Sequence, residues 1–129
     1  SMHFHHVNSN HWVLSSSKDC SVNNINLIKI YDSMYGSTLS RHLQCQINRI
    51  YTPAETFINY KIEKVQKQSN SSDCGLYAIA FAVDLLYGFD PTKIDYFEYE
   101  LRPHLKKCFE KQYFFNNRKV FRDCWYDFN

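Results

Sequence analysis

Residues Gln68 to Gly88 read QSNSSDCGLYAIAFAVDLLYG, a polar loop that runs into Asp73-Cys74-Gly75 and then directly into an apolar segment. The segment Gly75–Tyr87 has the length and composition of a helix. It is apolar nearly all round, which marks it as central and buried. A cysteine at its start has a chemical use that an ordinary capping residue lacks. A helix N-terminus presents unpaired backbone N–H groups and a partial positive charge. Both stabilise a thiolate. The same N–H groups can hold the negative charge that develops on an attacked carbonyl oxygen. Gly75 carries no side chain, so a substrate backbone can approach closely there. Asp73 is expected to fix the loop, because its negative charge beside a thiolate is unfavourable for a direct catalytic role. The competing reading is a buried structural cysteine, since free cysteine is among the most buried residue types.

Working outward from this helix, HWVLSS (His11–Ser16) and INLIKIYDS (Ile25–Ser33) read as strands, with KDCSVNN between them as a hairpin connection. His3–Val7 reads as a short strand ending at Asn8-Ser9-Asn10. In Ser37–Tyr51, Leu39, Leu43, Ile47 and Ile50 recur at helical spacing, and Pro53 stops the pattern. TFINYKIEKV (Thr56–Val65) alternates and reads as another strand. Ile94–Gln112 is helical in pattern, bent or broken before Pro103. Lys111–Asn129 is expected to form a terminal hairpin over the core. The order predicts an α+β domain: a small, mostly antiparallel sheet packed on the Cys74 helix.

The chain has 129 residues, which fits a single domain over 1–129, with Ser1-Met2 read as a cloning remnant. Hydrophobic residues make up 44% and the net charge is only +2. That balance has no electrostatic footprint for nucleic acid, so no nucleic-acid partner is expected. Leu76–Phe89 is too short to span a bilayer, and no signal peptide is visible. Five cysteines, an odd number with no C-x-x-C spacing, argue against a disulfide framework or zinc site and for a reducing, intracellular setting in cytoplasm or nucleus. No metal and no cofactor is expected. His3 and His5 would share one strand face with His6 opposed, the pattern of exposed strand histidines rather than of ligands.

A thiol nucleophile needs a base, and the base needs a group to orient it. His11 begins one predicted strand and Asp32 closes the next. In an antiparallel hairpin those ends are neighbours, so an imidazole and a carboxylate can meet. Taken singly, each is as well explained as a strand-edge histidine, a solvated turn aspartate and, for Gln68, an ordinary loop side chain.

The ordered set HWVL, YDS and QSNSSDCGLYAIAFA resembles the Ulp-type cysteine peptidases: the SUMO-specific proteases, related deneddylases and, more distantly, the adenovirus proteinase. The family pattern is His-Trp, then Asp closing a strand, then Gln six positions before the Cys of a D-C-G motif that opens a helix. Here those positions are His11-Trp12, Asp32, Gln68 and Cys74-Gly75. The resemblance runs from His11 to about Gly88, and less sharply to Cys108. It implies a cysteine-proteinase-like fold. It also implies Cys74 as nucleophile, His11 as general base, Asp32 as the group that orients the imidazole, and the Gln68 amide with the Cys74 N–H as oxyanion donors. Trp12, with Gly75, would border the narrow channel that admits a glycine-rich tail. Family catalytic domains carry a segment before the His-Trp strand that helps to build the substrate surface. This chain begins ten residues before His11, so two expectations stand: a truncated, partial domain completed by that segment or by a partner, or a pared-down member with half its substrate wall missing.

The implied activity is hydrolysis of a peptide or isopeptide bond after the glycine-rich tail of a ubiquitin-like modifier. The implied partner is that modifier or its conjugates, met by a monomeric, membrane-free enzyme. The alternative is a catalytically weak or inactive protease-like module that binds a modifier or another protein.

Overall fold

The computed structural model describes residues 1–8, 10–17, 27–36, 38–51, 58–111 and 126–127. Four strands form one sheet: β1 (Met2–Val7), β2 (His11–Ser16), β3 (Leu27–Tyr31) and β4 (Asn59–Ile62). They lie in that spatial order, with β1–β2 and β2–β3 antiparallel and β3–β4 parallel. The parallel pairing follows from the crossover helix α1 (Arg41–Tyr51) between β3 and β4. Helix α2 spans Cys74–Leu86 and α3 spans Glu98–Lys111. A second, two-stranded sheet pairs β5 (Asp95–Tyr96) with β6 (Tyr126–Asp127). The architecture is α+β, as expected.

Strand alternation sorts the core onto two faces of the sheet. Val7, Val13, Ile28 and Ile30 pack against Leu43 and Ile47 of α1. Leu14 and Tyr31 face the other way, onto Tyr77, Ala78 and Phe81 of α2, and α3 adds Leu101 and Leu105 behind them. This is why α2 is apolar on almost every side: sheet on one flank, α3 on the other. The lone acid within it, Asp84, is fully buried and accepts a hydrogen bond from the Tyr96 hydroxyl at 2.7 Å.

Three readings need correction. Helix α3 is not broken at Pro103 but runs through it. Leu101 and Leu105 are buried on its inner face while Arg102 and Pro103 face solvent. The hydrogen bond that Pro103 cannot donate is the one to the carbonyl of Tyr99, a residue on the exposed side of the helix. Asp95–Tyr96, expected as helix, is strand because it pairs with Tyr126–Asp127. His5 is not an exposed strand histidine. It is buried against α1, with Nδ1 3.0 Å from Gln46 Oε1 and Nε2 2.7 Å from Ser15 Oγ. Ser15 Oγ is in turn 3.0 Å from the Tyr51 hydroxyl. The connection over residues 18–26, Pro53 and residues 112–125 and 128–129 of the expected terminal hairpin lie outside the described residues, while Lys111 ends α3. Among the described residues no helix is long and apolar enough to cross a membrane.

Candidate active site

Antiparallel register brings His11 and Asp32 together. Leu14 pairs with Tyr31, so one further step sets Asp32 opposite Val13, diagonal to His11. His11 Nε2 lies 2.6 Å from Asp32 Oδ1, and the two side chains are only 16% and 18% exposed. The Met34 amide also donates to Oδ1, at 2.8 Å, and fixes the carboxylate. A carboxylate accepting from Nε2 selects the tautomer with the proton on that nitrogen. The lone pair of neutral His11 is then on Nδ1, which has no hydrogen-bond partner among the described residues.

Cys74 is the first residue of α2 and is buried. Its Sγ lies 3.9 Å from the carbonyl oxygen of Asn10. One residue on, a Cβ added to Gly75 would lie 3.6 Å from Trp12 Cδ1, an ordinary contact. The residues on either side of His11 therefore touch Cys74 and its successor, which sets the helix start against the start of β2. No hydrogen bond joins Cys74 Sγ to His11. A protonated thiol donates to the nearest carbonyl, and in a resting site the thiol–imidazole contact is commonly loose.

Gln68 is held at both ends. Its backbone N–H donates to Ser33 O at 2.9 Å, its Oε1 accepts from Ser33 Oγ, and its Nε2 donates to Asn70 O at 2.6 Å. Ser33 follows Asp32 directly, so one dipeptide holds both His11 and Gln68. The loop beyond is an Asx turn: Asn70 Oδ1 accepts from the Ser72 and Asp73 amides, each at 2.9 Å. Asp73 occupies the cap position of α2, yet its side chain makes no cap hydrogen bond. The first-turn N–H groups of α2 are left uncapped by it.

Two depressions flank this junction. One, of about 360 Å³, is lined by His11, Asp32, Asn10 and Ser71 together with residues of the β3–α1 connection. The other, of about 320 Å³, is almost purely apolar and is lined by Phe4, Trp12, Gly75, Ala78 and Ile79. Sequence reasoning missed Ser33, which holds Gln68, and the α3 pair Glu98 and Arg102, which hold Ser69, Asn70 and Asp73 of the loop before Cys74. Ser33 is an unremarkable hydroxyl in the chain, and the α3 pair acts across a separation only the fold closes. Cys20 and Cys124 lie outside the described residues, and His/Cys/Asp/Glu clusters able to hold a metal are absent among the described ones.

A four-stranded mixed sheet packed on the buried helix that starts at Cys74 is the architecture of a cysteine-proteinase-like fold. The family model of the Ulp1 protease family, C-terminal catalytic domain, matches residues 2–122, and the chain belongs to that family. Membership makes it a cysteine-peptidase domain of the kind that acts on ubiquitin-like modifiers and their conjugates. No curated protein and no solved structure matches the chain.

Proposed function

We propose that this chain is a thiol peptidase that cleaves the peptide or isopeptide bond after a glycine-ended tail of a ubiquitin-like modifier. The observation that carries the reading is the 2.6 Å His11–Asp32 pair beside the uncapped helix start that holds Cys74. His11 Nδ1 takes the thiol proton, and Asp32 stabilises the resulting imidazolium. The thiolate attacks the glycine carbonyl carbon, and the Cys74 N–H with the Gln68 amide receives the oxyanion. Collapse expels the amine, which takes the proton from His11, and leaves a thioester on Cys74. Water, deprotonated by His11, then hydrolyses that thioester and restores the thiol. Trp12 and Gly75 border the apolar depression, where a tail without side chains would lie. A thiol that must stay reduced suits an intracellular, cytoplasmic or nuclear setting. We take the acting unit to be a monomer.

A second reading, a modifier-binding module with little or no turnover, draws on two contacts. Cys74 Sγ bonds to Asn10 rather than His11, and Gln68 Nε2 is engaged by Asn70. A panel of glycine-terminated electrophilic probes built on different ubiquitin-like proteins separates the two. The peptidase reading expects an adduct on Cys74 with at least one probe and none in His11→Ala. Probe binding without any adduct on Cys74 would establish the module instead.

A further inference from the structure

Aspartate at a helix cap ordinarily turns its carboxylate onto the first-turn amides of its own helix. Asp73 does not. Its Oδ1 lies 2.9 Å from an Arg102 guanidinium nitrogen, and its Oδ2 accepts from Asn70 Nδ2 at 2.8 Å. Its backbone, at φ −101 and ψ 11, is off the extended geometry of a capping residue, as befits a side chain drawn sideways toward α3. One turn earlier on α3, Glu98 accepts from the Ser69 amide and from Asn70 Nδ2, both at 2.9 Å. The two α3 residues stand at i and i+4 and so face the same loop.

The arrangement matters because of what lies next to Asp73. Its side chain is only 14% exposed, so water screens its charge poorly, whereas Arg102 is 66% exposed. An unpaired carboxylate there would stand beside the sulfur of Cys74 and the amides proposed to receive the oxyanion. It would oppose negative charge on either. We propose that Arg102 is a positioning residue: its pairing with Asp73 neutralises that carboxylate and holds it toward α3, away from the thiol and the open amides of α2. The inference rests on Cys74 as the reacting thiol.

The test is the rate at which iodoacetamide alkylates Cys74 in the full chain, followed by mass mapping, with melting curves alongside. Arg102→Met is expected to slow alkylation at least about threefold, the sense of leaving a like charge beside a thiolate. Its melting temperature should hold or rise, because the released carboxylate can cap α2. Asp73→Asn should react at or above the wild-type rate. In that background Arg102→Met should have no further effect on alkylation, a rescue that a merely structural arginine would not show. Equal slowing by Arg102→Met in both backgrounds, or no slowing in either, overturns the inference. If Arg102→Met does not fold, Asp73→Asn decides alone: a rate below wild type means that the carboxylate aids the thiol, and the inference fails. The peptidase reading is tested separately by the glycine-terminated probes. The alkylation pattern without any probe adduct would sink that reading and leave the role of Arg102 standing.

Discussion

Gln68 is the side chain whose behaviour best separates an enzyme from a look-alike. Its Oε1 is pinned by Ser33, so the amide nitrogen is the end that faces the loop leading to Cys74. One N–H is spent on Asn70, and the second is the one proposed to meet the substrate oxygen. A donor that acts only as charge develops contributes to turnover and little to ground-state binding. Gln68→Ala is therefore expected to lower kcat by about 10²–10³, with binding of intact substrate to a Cys74→Ala background nearly unchanged. Single-turnover cleavage of a modifier fusion reads the first quantity, and titration reads the second. Equal rates for wild type and Gln68→Ala would remove this residue from the mechanism. The four residues His11, Asp32, Gln68 and Cys74 were legible as an ordered set, because their types and spacing are properties of the chain. What was not legible is which atom of each is free. That depends on Ser33, Asn70 and Asn10, whose bonds cross 2 to 64 positions of sequence.

At the scale of elements, α2 carries both the core and the reactive thiol. Phe81 is fully buried among the rings of Tyr31, Tyr77 and Tyr96, at centroid distances of 6.2, 5.9 and 5.6 Å. Phe81→Ala is expected to cost about 3–5 kcal/mol, since transfer and cavity terms add. Leu86→Ala, 65% exposed at the end of the same helix, should stay within about 0.5 kcal/mol. Urea unfolding of the two variants measures both. A Phe81→Ala cost near that of Leu86→Ala would mean that α2 does not form the centre of the core. The all-round apolar character of α2 was plain in the sequence. The persistence of α3 through Pro103 was not. Propensity argues for a break there, and buried Leu101 and Leu105, packed behind α2, outweigh one lost hydrogen bond on the solvent side.

For the whole molecule, the buried His5 network ties β1 and β2 to α1 and makes stability depend on acid. Burial pushes the His5 imidazole below its ordinary value of 6.5; the Gln46 hydrogen bond opposes this, and nearby His3 adds to the lowering. In the unfolded chain the same ring takes a proton at higher pH. Its contribution is thus fully present above 6.5 and is lost as pH falls from there through the folded value. Between the two values the slope from this group is at most about 1.4 kcal/mol per pH unit. His5→Gln should fold less stably at neutral pH and show a shallower decline from about pH 7.5 to about pH 5 in urea melts. An unchanged slope would assign the acid sensitivity elsewhere. The role of His5 illustrates the division between chain and fold. Composition, alternation and the run from Asp73 into an apolar helix determined the α+β class and the central helix and marked Cys74 as the candidate thiol, because each is written in local order. Only the tertiary structure decided that His5 is buried, that β4 joins in parallel, that Asp73 turns to Arg102 and that the thiol rests on Asn10. Each of these depends on groups that meet across the sheet or between helices, where packing and charge pairing override what any local stretch prefers.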